Sequence, residues 1–283
     1  GRIYTDTPQY GGIVYDEYGA YTQVQKKLMD DRLKFTGSVR YDKSQNFDGN
    51  FSPRVSFVYS AGENKEHNFR GSFQTGFRNP TTQDQYIGFN VGNAVLIGSA
   101  PENLDRYSET LPVNTAAGQL FAGGATSVMT GQNAYYNSYT AQSVTAFAAL
   151  AGTNPVAAAA LLKKTNVGLV KPETVKAVEL GYRGQYKGFS YDLNGYYNIY
   201  NDFIGNLTVV APLYGKAQDA PSLTAGPTDL GFQSVHAISN GNTRAYQLYT
   251  NTDVEIKSLG FGFGVNKKVY KNFEVSANYN YAQ

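Results

Sequence analysis

The sequence predicts an all-β fold: an antiparallel up-and-down transmembrane β-barrel. Three observations carry this reading. Apolar and polar residues alternate with a period of two in segment after segment. The connections between those segments alternate between short and long. The apolar positions are crowded with rings, 24 Tyr and 16 Phe with no Trp in 283 residues. Charged residues make up 16 % of the chain, against about 25 % in an average soluble domain. A mean hydropathy of -0.40 is compatible with membrane insertion. A barrel strand that is greasy on one side and wet on the other averages out as hydrophilic.

The strands follow in order. Eight are expected, at about 17–29, 32–42, 51–60, 67–78, 173–186, 189–201, 244–269 and 273–283. In the second, Leu33, Phe35, Gly37, Val39 and Tyr41 share one face, and Lys34, Thr36, Ser38, Arg40 and Asp42 the other. In the fourth, Phe69, Gly71, Phe73, Thr75 and Phe77 alternate with Arg70, Ser72, Gln74, Gly76 and Arg78. In the last, Phe273, Val275, Ala277, Tyr279 and Tyr281 alternate with Glu274, Ser276, Asn278 and Asn280. Successive side chains of a strand point to opposite faces, so each segment has one apolar and one polar side. The third and fifth repeat the pattern more loosely, through Val55, Phe57 and Tyr59 and through Val178, Leu180 and Tyr182.

Short turns are expected at Asp30 and Asp31, at 61–67, at Lys187 and Gly188, and at Lys271 and Asn272. Long connections are expected at 43–50, 79–171 and 202–243. Every turn at one end is then short and every loop at the other end long, the habit of outer-membrane barrels. Greek-key connections of a soluble sandwich have no reason to segregate by length. The two largest loops, 79–171 and 202–243, are read as extracellular and as containing short helices. The Ala-rich stretch 156–164 ends in two lysines, as suits a helix C-terminus, and Pro155 after Asn154 could open it.

Several classes are excluded. A hydrophobic fraction of 41 % is too large for a disordered chain. A net charge of +2 gives no basic surface for nucleic acid. Without cysteine there is no disulfide, zinc-thiolate site, iron–sulfur cluster or thiol nucleophile. No apolar run is long enough for a membrane-spanning helix, and GRIYTDTPQYGG at the start does not read as a signal peptide. His67 and His236 lie far apart, in a turn and a loop, with no ligand or nucleophile set around them. Gly260, Gly262 and Gly264 fall in a strand with period two, which argues against a nucleotide loop. Asp42, Ser44, Asn46 and Asp48 have the odd spacing of a calcium loop, but Phe47 stands where its glycine belongs and no Glu closes it. No catalytic residue, metal or cofactor is expected.

Three segments carry a family resemblance: YDKSQNFDGNFSPRVSFVYS at 41–60, FRGSFQTGFRNPTTQDQYIG at 69–88, and KPETVKAVELGYRGQYKGFSYDLNGYYNIYNDFI at 171–204. They resemble the β-barrel of TonB-dependent outer-membrane receptors, with the flavour of the type that carries a carboxypeptidase-like N-terminal extension, SusC-like importers among them. The junction Phe77-Arg78-Asn79-Pro80-Thr81 and the hairpin running from Lys171-Pro172-Glu173 through Glu179-Leu180-Gly181-Tyr182 to Asp202-Phe203-Ile204 carry the likeness.

The resemblance implies a 22-stranded barrel closed by a plug domain, in the outer membrane of a Gram-negative bacterium. It also implies energy-coupled import of a nutrient too large for porins, such as a glycan, peptide or metal chelate. Outer-membrane lipid, the TonB complex and a surface lipoprotein would be partners. Neither a plug nor a TonB box is read in this sequence, so residues 1–283 are expected to be part of one barrel domain, about eight strands of a probable 22. The alternative is a structural or adhesive barrel without transport activity.

Arg40, Arg54, Arg70 and Arg78 share the polar parity and are expected to line the lumen. They could stack as a ladder of donors or pair with carboxylates of the plug or wall. Ligand contact is expected at the strand–loop junction, from Arg78, Asn79, Gln83, Gln85 and Tyr86.

Overall fold

The computed structural model describes residues 4–5, 11–271 and 273–283. Most of the N-terminal stretch read for a signal peptide, and Asn272 of the last turn, lie outside the described residues. The chain divides into two compact units. The wall unit comprises Tyr15–Asn79, Pro172–Phe203 and Thr252–Gln283, and the loop unit Gly1–Val14, Pro80–Lys171 and Ile204–Asn251.

The wall unit is one eight-stranded antiparallel sheet. Its strands are β1 (Glu17–Leu28), β2 (Leu33–Ser44), β3 (Asn50–Ala61), β4 (His67–Arg78), β5 (Glu173–Tyr186), β6 (Phe189–Asn201), β7 (Ile256–Tyr270) and β8 (Phe273–Ala282). Each pairs with its neighbours in this order, as an up-and-down meander requires. Among the described residues β1 and β8 are the two edges, so the sheet is open. The turns explain the register. Lys187 and Gly188 both have positive φ, 48° and 77°, the two-residue turn whose twist matches a hairpin. Met29, Asp30 and Asp31 also have positive φ, and Met29 O accepts from Arg32 N at 3.0 Å to close that bend.

The register assembles one continuous apolar face. Phe35 faces Phe57, Val55 faces Phe73, Phe73 faces Val178, and Val178 faces Tyr197. Further along, Leu193 faces Phe263 and Phe263 faces Tyr279. These side chains are exposed, from 38 % for Phe263 to 57 % for Tyr279. A soluble protein rarely leaves so large an apolar surface uncovered.

The loop unit is built the other way round. Its five-stranded sheet runs in the order Gly88–Asn90, Val95–Ile97, Thr243–Asn251, Ile204–Pro212, Tyr139–Thr140. A hairpin, Ser108–Pro112 with Thr126–Thr130, and several helices surround it. Val95, Ile97, Leu104, Tyr135, Tyr246 and Leu248 form its core, each almost wholly buried.

Three expectations are corrected here. The connection expected to be long at 43–50 is only 45–49, no longer than the turn 62–66 at the other end, because both strands run further than their alternation showed. The expected strand 244–269 is two elements. Thr243–Asn251 pairs with Ile204–Pro212 and, in parallel, with Val95–Ile97, while only Ile256–Tyr270 belongs to the wall. The polar break at Thr252 and Asp253 separates them, and Tyr246 and Leu248 are needed in the loop core. The stretch 202–243 therefore holds the strand Ile204–Pro212 and the helix Leu230–Ser239. The helix expected over 156–164 stops at Ala159, and Leu162 is drawn into a second core with Phe147 and Tyr139. Its start is as expected: Asn154 caps it by accepting from Ala157 N at 3.0 Å, and Pro155 follows. A longer helix, Ala141–Ala151, precedes it.

Candidate functional site

The polar face of the wall sheet gathers residues from five strands by register alone. Ser38, Arg54 and Gln74 stand in one row across β2, β3 and β4. Ser56, Ser72, Glu179 and Tyr196 make the next across β3 to β6. Arg70, Gly181 and Asn194 make the third. A groove of about 560 Å³ runs over these rows, and Arg54, Arg70, Glu179, Asn194 and Tyr196 line it.

The arginines expected on this face do not stack on one another. Arg40 forms an ion pair with Asp42 at 2.7 Å on its own strand. Arg70 reaches Asp192 at 3.2 Å, and Arg183 meets the same carboxylate at 2.5 Å. Arg70 crosses β5 to do so, over Gly181, where an added β-carbon would collide with its side chain. Arg78 grips Glu173 with two hydrogen bonds, 2.6 and 2.8 Å. Among the described residues Arg54 has no ion pair. Solvent-exposed pairs of this kind contribute about 0–1 kcal/mol each, so they orient side chains more than they stabilise the sheet. Two glycines of β7 are covered from the side: a β-carbon on Gly260 would meet the Tyr196 ring, and one on Gly262 would meet Asn194 and Asn280 at 2.7–3.0 Å. The strand parity that picked out the arginines also puts Glu179, Asn194 and Tyr196 on this face, but neutral and acidic residues gave no comparable signal in the sequence.

The residues expected at the strand–loop junction fall in both units. In the wall unit, Asn79 Nδ2 donates to Glu17 Oε1 at 3.1 Å, beside the Arg78–Glu173 pair. In the loop unit, Gln83 is exposed and its Nε2 donates to Tyr249 Oη at 2.7 Å. Gln85 and Tyr86 are each 1 % exposed, so neither side chain faces solvent. Gln85 Nε2 donates to Pro80 O at 2.7 Å and Tyr86 Oη to Glu102 Oε1 at 2.8 Å. Gln83, Gln85 and Tyr86 lie on the short helix Thr82–Tyr86, which starts with a capping box of Thr81 and Asp84.

One polar cluster was invisible in the sequence because its members lie more than 100 residues apart. Glu109 Oε1 accepts from Arg244 Nε at 3.0 Å and from Tyr246 Oη at 3.1 Å. Burial first, and then the charge of Glu109, push the ionisation of Tyr107 and Tyr246 far above the usual tyrosine range. Neither histidine sits free on the surface, since His67 Nδ1 meets Tyr182 Oη at 2.9 Å and His236 Nδ1 meets Tyr214 Oη at 2.8 Å. His236 lies on the helix Leu230–Ser239 rather than in an irregular loop. The calcium-like segment is occupied by its own cation, because Lys43 Nζ donates to Phe47 O while Asp42 is held by Arg40. Among the described residues no group of three or more His, Asp and Glu could hold a metal ion.

A sequence model of the family described as "TonB dependent receptor-like, beta-barrel" matches residues 1–283. The chain belongs to that family. Barrels of TonB-dependent receptors sit in the outer membrane of Gram-negative bacteria, and their family is one of transporters, not enzymes. The exposed apolar face of this receptor barrel is thus its lipid face.

Two solved structures agree in fold. A mutant of the ferric enterobactin receptor PfeA from Pseudomonas aeruginosa is 14 % identical with a TM-score of 0.50, covering 94 % of this chain and 26 % of its own. A second PfeA mutant, in complex with enterobactin, is 13 % identical at 0.50, covering 94 % and 27 %. The siderophore receptor PirA from the same organism is 14 % identical at 0.49, covering 95 % and 34 %. The chain thus spans about a quarter to a third of the length of the structures it matches. No curated protein matches the sequence.

Proposed function

We propose that this receptor barrel forms part of the wall and loops of an energy-coupled importer. Its cargo would be a nutrient too large for porins: a glycan, a peptide or a metal chelate. Family membership carries the reading, and the polar interior supports it. An unpaired guanidinium at Arg54, with Glu179, Asn194 and Tyr196 in the same groove, offers donors, acceptors and a ring to a polar moving element or ligand. At the strand ends Arg78 and Asn79, and in the loop unit Gln83, are the exposed or half-exposed candidates for ligand contact. Gln85 and Tyr86 then act by holding the segment that carries Gln83.

In this proposal residues 1–283 are part of one barrel domain, and 79–171 and 202–243 are extracellular loops. The plug domain, the TonB box and further strands belong to the rest of the receptor. The open sheet supports this, because lipid does not tolerate an unpaired strand edge. The TonB complex is the proposed energy source. A surface lipoprotein, as in SusC-like importers, is a further proposed partner that rests on the sequence resemblance.

The test is uptake by cells carrying the whole receptor, with and without a functional TonB complex, on a panel of glycans, peptides and ferric chelates. The expected result is uptake of one class that disappears without TonB. Uptake of none, with an intact mass near 30.9 kDa for the protein from native membranes, would favour the adhesive or structural barrel.

A further inference from the structure

At the short-turn end of the wall sheet three lysines each lie over an aromatic ring. Lys187 Nζ is 5.2 Å from the centre of the Tyr186 ring, Lys267 Nζ 4.0 Å from that of Phe189, and Lys271 Nζ 5.3 Å from that of Tyr270. Tyr186 and Phe189 are partners across the β5–β6 hairpin, and Lys267 is the β7 partner of Phe189, so these three stand in one row. The row has the parity of the lipid face, since Val265 pairs with Tyr191 two residues on and Phe263 with Leu193 beyond it. Tyr186, Lys187, Tyr270 and Lys271 are exposed. Among the described residues none of the three ammonium groups is in an ion pair, whereas Lys257 is held by Glu255 at 3.2 Å and Lys27 by Asp31 at 3.5 Å.

We propose that this corner binds the phosphate of an anionic phospholipid such as phosphatidylglycerol. The inference rests on the outer-membrane setting of the barrel and is independent of what the receptor carries. Short turns of outer-membrane barrels lie at the periplasmic boundary. Aromatic rings with polar tips mark the headgroup layer there. An ammonium over a ring face keeps its N–H donors free on the far side, and three of them at the edge of the apolar surface lack a protein anion. A headgroup phosphate supplies that charge at the right depth, while its acyl chains lie along the apolar face.

The test is native mass spectrometry of the whole receptor in detergent, titrated separately with dioleoylphosphatidylglycerol, dioleoylphosphatidylcholine and lipopolysaccharide. The variants are Lys187→Gln/Lys267→Gln/Lys271→Gln, the corresponding triple Arg replacement, and Lys176→Gln as a control from the opposite end of the lipid face. Wild type should retain phosphatidylglycerol in preference to phosphatidylcholine. The Gln triple should weaken that binding by roughly tenfold or more, with the Arg triple and the control unchanged. Equal retention of phosphatidylglycerol by the Gln triple and wild type overturns the proposal. So does equal retention of both phospholipids by wild type, or a wild-type preference for lipopolysaccharide that the Gln triple abolishes. If the Gln triple does not yield a folded barrel, Lys267→Gln alone leaves both hairpin turns untouched, and it should lower phosphatidylglycerol binding by roughly threefold. No loss with that variant overturns the proposal as well.

Discussion

The wall unit and the loop unit use the same aromatic-rich vocabulary and place it oppositely. In the wall, Phe73 is 44 % exposed on a face with no protein over it. In the loop unit, Tyr135 is fully buried, and its hydroxyl donates to Tyr249 O at 2.7 Å. Charged groups differ in the same sense. The wall's Arg40–Asp42 pair leaves Arg40 largely in the open, whereas the loop's Arg244–Glu109 pair is mostly enclosed. The difference teaches that the solvent decides what a hydrophobic residue is for. In the wall lipid is the apolar phase, and a strand needs only one greasy side to meet it. The loop unit must make its own apolar phase, so it folds a sheet and helices around Tyr, Leu and Val.

The sharpest way to break this contrast is to remove volume from the loop core. Leu248→Ala should destabilise the loop unit by about 2–5 kcal/mol, because a cavity is left where packing was complete. Hydrogen exchange should then rise in 80–171 and 204–251 and stay unchanged in the strands of the wall. Spread of the effect to β2 or β3 would show that the two units do not unfold separately.

The complementary change puts a charge on the wall. Phe73→Arg should cost about 2–4 kcal/mol in a lipid-based unfolding titration, and Gln74→Arg on the opposite face far less. Equal costs at the two positions would sink the face assignment.

Alkaline titration sharpens the comparison from the loop side. Burial holds the Tyr107, Tyr135 and Tyr246 hydroxyls protonated well above the ordinary tyrosine range, and raises Tyr139 in the same direction. When the unit unfolds these groups ionise near the ordinary value of about 10. Above that pH the unfolded state binds fewer protons than the folded one, so stability falls as pH rises. The loop unit should keep its full stability below about pH 10 and lose it progressively above, as the rise of tyrosinate absorbance would report. A tyrosinate signal that rises to completion without unfolding would show that these rings are not sealed.

The smallest expected effect is at Arg54. Arg54→Ala should change wall stability by less than about 0.5 kcal/mol, since the side chain has no ion pair to lose. Its consequence belongs to uptake, and a transport assay in which Arg54→Ala matches wild type would remove it from the functional groove.

Much of the wall was legible in the sequence. Strands such as Glu173–Tyr186 and Phe189–Asn201 have the bounds that alternation predicts, and the turn falls at Lys187 and Gly188, where the glycine takes a positive φ without strain. Parity also put Arg40, Arg54 and Arg70 on one face. It could not say that Arg70 would cross Gly181 to share Asp192 with Arg183, because a diagonal contact depends on which strand lies next door and on a missing β-carbon. Gln85 and Tyr86 read as open polar groups beside a barrel mouth, and their burial became visible only with the fold of the loop unit around them.

The sequence by itself determined the period-two strands, their short turns, the apolar face and the family. The tertiary structure alone decided that 244–269 divides between two sheets, that 80–171 and 204–251 condense into a packed unit, and that Glu109, Arg244 and Tyr246 meet. The reason is physical. A membrane strand is specified by side chains two residues apart and by a neighbour joined through a tight turn, both local in sequence. A loop core is specified by contacts between residues far apart, such as Ile97 and Leu248, which pair in parallel strands. Those contacts form only after the chain has closed on itself, and no local pattern announces them.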